Sequence, residues 1–213
     1  MNALNKVLRL VFFAVIVRAV VLLVIGLNVR HRERLPIDGP AVIAGNHNSH
    51  LDTMVMMSLM PLRSLAKVRP VAAADYFLRN GFLAWFSLRI IGIVPIARQG
   101  GGDPLASCRD ALERGEILIF FPEGSRGEPE RLARFRGGIA KLAAASPEAP
   151  VVPVYTHGLG KALPKGQALL VPFFADVFVG EPLRAGDVEG DFLAALRERM
   201  ESLRGEGVFA PWE

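Results

Sequence analysis

The chain has 213 residues, a formal net charge of +4 and 51% apolar residues. Its length suits one domain with a real core, and its many apolar residues exclude an intrinsically disordered chain. The small basic excess suits anionic lipid surfaces or phosphorylated substrates, whereas the lack of dense Lys/Arg clusters argues against nucleic-acid binding.

Cysteine and histidine usage limits the metal and redox chemistry. Cys108 is the only cysteine, so no intramolecular disulfide can form, which fits a reducing compartment. None of the four histidines has a recognised zinc-ligand spacing with Cys108. We therefore predict no metal site.

The first predicted element is an apolar segment from Leu10 to Leu27, interrupted only by Arg18. As a helix it would reach about 27 Å, close to the hydrocarbon thickness of a bilayer. A signal peptide would need a cleavage site of small residues, which is missing. A buried core helix remains an alternative. We favour a membrane anchor in residues 1–34, either spanning the bilayer or lying on it, followed by a functional domain in residues 35–213.

After a turn-rich connector, strands and helices alternate in the first half of this domain. Apolar runs bounded by Pro, Gly or Asn predict buried strands, and longer apolar runs predict helices. The predicted strands are Ala41–Gly45, Ala72–Ala74 and Ile90–Ile96. The segment Leu51–Leu59 is predicted as a helix, and Tyr76–Trp85 as a helix or a helical loop.

The second half continues the alternation. Asp103 and Pro104 are typical of a helix start, and that helix is predicted to run to about Arg114. The other predicted helices are Phe135–Ala145 and Asp191–Leu203, and the predicted strands are Glu116–Phe121, Val151–Tyr155 and one or two within Ala168–Val179. This order predicts an α/β fold with a mixed central sheet flanked by helices.

The sequence Asn46-His47-Asn48-Ser49-His50-Leu51-Asp52 follows the first strand and carries the candidate chemistry. If Ser49 caps the next helix, Asp52 stands at the capping-box position and a loop can bring His47 back over the helix start. Asp52 could then fix the imidazole tautomer and leave the other ring nitrogen as a general base. The spacing alone fits equally well an Asp52 that only caps the helix.

Three further blocks follow in order. Gly92-Ile93-Val94-Pro95-Ile96-Ala97-Arg98 and Phe121-Pro122-Glu123-Gly124-Ser125-Arg126 each end a strand in an arginine, and Val151-Val152-Pro153-Val154 is the last. With the His47 motif, these blocks resemble in order and spacing the four motifs of the glycerolipid acyltransferases, the lysophosphatidic acid acyltransferase family. The resemblance spans roughly residues 40–182.

The resemblance implies an O-acyltransferase of phospholipid biosynthesis, with residues 35–213 as its catalytic domain. His47, oriented by Asp52, would deprotonate a hydroxyl of a lysophosphatidic acid-type acceptor, which attacks a fatty acyl thioester directly. The donor would be acyl-CoA or acyl-carrier protein, and no cofactor would be needed. The expected location is the cytoplasmic face of the cell membrane.

The resemblance also implies an acceptor site. Arg98 and Arg126 would hold the acceptor phosphate, since guanidinium groups match phosphate oxygens. Glu123 would help bind the acceptor or order the turn that holds Arg126, and Gly124 would permit close backbone approach.

Other classes fit the sequence less well. Glu123 stands two residues before Ser125, so the nucleophile elbow of a serine hydrolase is missing, and no phosphate-binding loop or dinucleotide fingerprint is present. Two alternatives stay open. One is acylation of another lyso-lipid, such as a lyso-ornithine lipid or another lysophospholipid, and the other is a non-catalytic membrane lipid-binding protein of the same fold.

Overall fold

The protein is described by a computed structural model that covers residues 3–23, 25–49, 51–97, 102–128, 130–163 and 171–209. Within these ranges seven strands form one sheet in the order β1-β7-β6-β2-β5-β3-β4. The strands are β1 (Leu27–Arg30), β2 (Ala41–Gly45), β3 (Val68–Ala73), β4 (Val94–Ile96), β5 (Ile117–Phe120), β6 (Val151–His157) and β7 (Ala175–Val179). Only β6 and β7 pair antiparallel. The predicted mixed sheet is confirmed.

Helices cover both faces of this sheet. They are α1 (Ala3–Val11), α2 (Arg18–Leu23), α3 (Leu51–Leu59), α4 (Ala74–Phe77), α5 (Gly81–Trp85), α6 (Ala106–Glu113), α7 (Gly138–Ala145), α8 (Leu159–Ala162) and α9 (Phe192–Gly205). Alternate residues of a strand point to opposite faces. In β2, Ile43 joins the core under the N-terminal helix and α3, while Val42 joins the core under α6, α7 and α9.

The N-terminal segment forms one helical rod, in which a π-helical stretch at Phe12–Val17 connects α1 to α2. One side of the rod faces the domain at a spacing of four residues, through Asn5, Arg9, Phe13, Val17 and Val21. The opposite side exposes large apolar residues, namely Leu4, Val7, Leu8, Leu10, Val11, Val15, Ile16 and Leu23. No helix in the described ranges has both the length and the apolarity to cross a bilayer.

The rod is fixed to the domain by polar as well as apolar contacts. Arg9 is 2% exposed, and its guanidinium donates hydrogen bonds to the carbonyl oxygens of Leu65 and Val68 at 2.8 and 2.7 Å. The domain boundary predicted at residue 34 falls between β1 and β2, which belong to the same sheet. The segment predicted as an anchor therefore contributes one strand to the sheet of the domain.

Several element boundaries differ from the sequence predictions. Residues at the start of the predicted strand Ile90–Ile96 end a π-helical turn, Phe86–Ile91, and only Val94–Ile96 pairs with β3. The helix predicted from Phe135 begins at Gly138, because the backbone of residue 136 is bonded to the loop after β5. The first part of the segment predicted as Ala168–Val179 lies outside the described residues, and the strand begins at Ala175.

Candidate active site

The site begins where β2 ends. The carboxyl ends of parallel strands meet at one edge of a sheet, so the loops after β2 and β5 are neighbours. Asn46 is fully buried and anchors the first loop to β6, because its amide group donates to the Thr156 carbonyl at 2.8 Å and accepts from the Thr156 N–H at 2.7 Å. Local sequence does not reveal this contact, because the residues near Asn46 do not show that β2 pairs with β6.

His47 and Asp52 are in direct contact. The Nδ1 atom of His47 lies 2.9 Å from Oδ2 of Asp52, which is fully buried. The same oxygen accepts the backbone N–H groups of Asn48 and Ser49 at 2.7 and 2.8 Å. Asp52 therefore caps the loop before α3 and orients the imidazole with one carboxylate oxygen. Both contacts that the spacing allowed, the one with the imidazole and the one with the loop amides, are present.

The hydrogen bond to Asp52 sets the chemistry of the His47 ring. An ionised carboxylate can only accept a hydrogen bond, so Nδ1 donates its N–H to Asp52 and the lone pair of the neutral ring is left on Nε2. The ring also stacks on Phe121, with 4.1 Å between centroids and 18° between planes. His47 keeps a side-chain exposure of 20%. The imidazole is thus held from two sides and remains accessible to a substrate.

The turn after β5 is bonded to the main chain of His47. Oε1 of Glu123 accepts the His47 N–H at 3.2 Å, and the Gly127 N–H donates to the His47 carbonyl at 3.0 Å. Glu123 is 3% exposed. Burial raises the pKa of its carboxyl to about 7, against opposing hydrogen bonds from the His47 and Ala133 amides.

Gly124 and Arg136 pack against each other. Gly124 has a φ of +73°, and a Cβ added there would lie 2.8 Å from Cδ and Nε of Arg136. Its N–H donates to the Phe121 carbonyl at 3.0 Å, and the Arg136 N–H donates to the Pro122 carbonyl at 2.8 Å. The glycine is required by its backbone conformation and by the close approach of the arginine stem.

A cavity of about 740 Å³ opens beside His47. Gly124, Ser125 and Arg126 also line it. Much of the remaining wall is apolar and comes from β3, α4, α5 and the following turn, including Val71, Ala72, Phe77, Leu83, Phe86, Ile91 and Ile93. One cavity therefore offers a base, cationic groups and an apolar surface.

The predicted site residues fall into three groups. His47, Gly124 and Arg126 line the cavity, whereas Asp52 and Glu123 stand behind it and hold the His47 loop. Arg98 lies outside the described residues. No group of three or more metal-ligating side chains occurs in the part of the chain that the structure describes.

Comparisons with known proteins place this chain in one class of enzyme. A family model described as acyltransferase matches residues 26–157, more than half of the chain. The chain belongs to the acyltransferase family, in its glycerolipid branch.

Individual relatives agree with this membership. The chain is 33% identical over 144 residues to a chloroplastic 1-acyl-sn-glycerol-3-phosphate acyltransferase of Arabidopsis thaliana, covering 66% of this chain and 38% of that protein. It is 29% identical over 185 residues to a 1-acyl-sn-glycerol-3-phosphate acyltransferase of Bacillus subtilis, covering 82% of this chain and 84% of that protein. The chain thus spans well under half of the plant relative.

The fold has a solved counterpart. The crystal structure of the 1-acyl-sn-glycerophosphate acyltransferase of Thermotoga maritima superposes with a TM-score of 0.73 at 20% identity, covering 95% of this chain and 79% of that chain. This likeness shows that the two chains share their fold.

Proposed function

We propose that the protein transfers a fatty acyl group from an acyl thioester to the free hydroxyl of a lysophosphatidic acid-type acceptor. The observation that carries this proposal is the 2.9 Å contact between His47 Nδ1 and Asp52 Oδ2 beside a cavity that Arg126 also lines. A base and a phosphate-matching cation in one cavity suit a substrate that carries a hydroxyl and a phosphate close together.

The proposed reaction needs one proton carrier. Nε2 of His47 accepts the hydroxyl proton as the acceptor oxygen attacks the thioester carbonyl. The tetrahedral intermediate then collapses by breaking the carbon–sulfur bond. The departing thiolate accepts this proton from the imidazolium, whose positive charge the Asp52 carboxylate stabilises. The products are a diacylated lipid and a free thiol, and the enzyme returns to its starting state.

Cys108 supports direct transfer without an acyl-enzyme. It is fully buried in the core beneath α6, and burial raises the pKa of its thiol to about 12. A thiol in this setting is a poor nucleophile at neutral pH. The acceptor hydroxyl is therefore the attacking group in the proposed mechanism.

The acceptor phosphate would bind Arg126, with Arg98 as a second candidate that lies outside the described residues. Arg126 lies between Glu123 and Gly127, and both of these residues are hydrogen-bonded to the main chain of His47. In this proposal Glu123 and Gly124 serve the acceptor indirectly, because they set the geometry of that turn. A phosphate held there lies close to the base, as a phosphate on the carbon next to the reacting hydroxyl requires.

The membrane role proposed for the N-terminal segment is interfacial. One side of the helical rod is apolar and exposed, and the ring of Phe12 packs edge-on against Phe86 at 5.3 Å, next to exposed Phe82 and Trp85. Helices with one apolar side lie in the plane of a lipid interface. We propose that this surface places the cavity at the cytoplasmic face of the membrane, where the lyso-lipid acceptor is dissolved.

A product screen tests the function. The protein would be incubated with acyl-CoA or acyl-carrier protein and a panel of lyso-acceptors, and the products would be identified by mass spectrometry. We expect lysophosphatidic acid to be acylated and His47→Ala to abolish thioester consumption. Equal turnover by wild type and His47→Ala would refute the catalytic proposal. Preference for a lyso-ornithine lipid or another lysophospholipid would show that the acceptor is not lysophosphatidic acid.

A further inference from the structure

Two more cations line the cavity beside the proposed acceptor site. Arg136 precedes α7, and Lys141 lies on its first turns; both are exposed and both contribute to the cavity wall. Within the described ranges, neither side chain has an ion-pair partner. Nearby Arg109, in contrast, is paired with Asp103. Unpaired cations that face a cavity are suited to an anionic ligand.

Lys141 lies at the rim that α7 shares with the start of α6. The pKa of Asp103 is lowered by hydrogen bonds from the Leu105 amide and the Arg109 side chain, with a smaller contribution from the charge of Lys141. Pro104 and Leu105 line the same cavity. Lys141 therefore lies next to the start of α6, whereas Arg126 lies within the turn that is bonded to the His47 main chain.

The proposed reaction brings two phosphates to one cavity at different distances from the base. In the acceptor, the phosphate is attached to the carbon beside the hydroxyl-bearing carbon. In the donor, the long pantetheine arm separates the thioester from its phosphate. The two phosphates therefore need separate cations, one close to His47 and one at a greater distance from it.

We infer that Arg136 and Lys141 form a donor subsite that binds the phosphate of the 4′-phosphopantetheine arm. Arg126 serves the acceptor phosphate, and all three cations line the same cavity. This inference rests on the proposed function, because it assigns the second anion to the acyl donor. The phosphopantetheine phosphate is common to acyl-CoA and acyl-carrier protein, so both donors are expected to use it.

Lys141 offers the cleaner substitution. The stem of Arg136 packs on Gly124, so its removal would also disturb the turn near His47. The side chain of Lys141 is exposed, and its replacement leaves the buried face of α7 intact. Lys67 is a matched control, because it is an exposed lysine outside the cavity lining.

The experiment compares three donors with wild type, Lys141→Ala, Lys141→Arg and Lys67→Ala. The donors are acyl-CoA, acyl-carrier protein and S-acyl pantetheine, which lacks the phosphate. We expect Lys141→Ala to raise the donor KM about tenfold for both phosphorylated donors, the effect of losing one charge-assisted contact. The KM for S-acyl pantetheine and the KM for the acceptor should not change. Lys141→Arg should restore most of the donor affinity, and Lys67→Ala should match wild type.

Three kinetic results would overturn the inference. They are an unchanged donor KM in Lys141→Ala, an equal rise with S-acyl pantetheine, and a rise in the acceptor KM instead. An effect confined to acyl-CoA or to acyl-carrier protein would also contradict a subsite for the shared phosphate.

A binding measurement separates this inference from the proposed function. Calorimetric titration of the full chain with coenzyme A requires no turnover. Weaker binding by Lys141→Ala than by wild type and Lys67→Ala would support the donor subsite even if lysophosphatidic acid were not acylated, in which case only the acceptor assignment would fail. Equal binding by all three proteins would refute the subsite.

Discussion

Glu123 contacts His47 through the backbone and not through the imidazole. Its carboxylate accepts the His47 N–H at 3.2 Å, while the ring is oriented by Asp52 on its other side. The turn after β5 and the loop after β2 are therefore one hydrogen-bonded unit, which also includes the bond from Gly127 to the His47 carbonyl. His47 and the turn that carries Arg126 are positioned relative to each other by this unit.

The burial of Glu123 predicts a pH-dependent stability. Its pKa is raised from 4.5 to about 7 by burial, so the folded chain holds the proton more tightly than the unfolded chain. The free energy of unfolding should consequently fall as the pH rises from about 4.5 to about 7, by on the order of 1–3 kcal/mol. In Glu123→Gln this fall should be shallower, as measured by urea denaturation across that pH range.

The control for this prediction is Glu198→Gln, which changes an exposed glutamate on α9. It should keep the wild-type pH profile. Identical profiles for wild type and Glu123→Gln would show that Glu123 titrates in its ordinary range.

Asp52→Asn tests the orientation of the base. An amide can still accept a hydrogen bond at the loop, but it no longer stabilises an imidazolium or enforces the Nδ1–H tautomer. We expect kcat to fall by about 10²–10⁴-fold with little change in either KM. Asp191 caps α9 by accepting the Leu193 N–H at 2.8 Å, and it is not among the residues that line the cavity. Asp191→Asn should therefore alter stability alone, and an equal loss of kcat in both variants would reduce Asp52 to a helix cap.

Arg126→Ala tests whether Arg126 binds the acceptor phosphate. Loss of a guanidinium–phosphate contact should raise the acceptor KM by about 10–100-fold for phosphate-bearing acceptors. A phosphate-free acylglycerol acceptor should be unaffected. Arg131 is an exposed arginine of the same loop that pairs with Glu128, so Arg131→Ala is the comparison. Equal KM changes for both acceptor types would contradict the phosphate role.

Gly124→Ala should destabilise the protein. An alanine would take up a φ of +73° and would place its Cβ 2.8 Å from the Arg136 stem. We expect a loss of about 1–3 kcal/mol in the free energy of unfolding and a lower kcat, because the turn bonded to His47 would shift. A Cβ at Gly186 meets no atom within 4 Å, so Gly186→Ala should be neutral in both assays.

Ile16→Asp tests the apolar side of the N-terminal rod. Ile16 is 53% exposed on that side. Ile37 is the control, because it is an isoleucine of similar exposure, 45%, on the connector before β2. A carboxylate at the lipid interface costs binding free energy, so Ile16→Asp should reduce co-flotation with anionic phospholipid vesicles while Ile37→Asp does not. Equal loss in both variants would mean that the rod makes no special contact with lipid.

The alternation of apolar runs was sufficient to predict the α/β class and the helix Leu51–Leu59, because buried strands and helices impose their own periods on a sequence. It was insufficient for β1, whose four residues were assigned to the anchor and its basic flank. Edge strands have little apolar signal of their own, and β1 is defined by its pairing with β7. The start of α7 was placed three residues too early, since a backbone bond to Pro122 holds residue 136 outside the helix.

The sequence by itself determined the identity and order of the candidate groups, from His47 and Asp52 to Glu123 and Arg126, because residue types and their local spacing are written along the chain. Tertiary structure alone decided their contacts. Neighbouring strands placed the turn after β5 against the His47 main chain, which turned Glu123 away from the cavity and buried Asn46 against Thr156. These contacts join residues more than 70 positions apart, and only the pairing of distant strands brings them within hydrogen-bond distance.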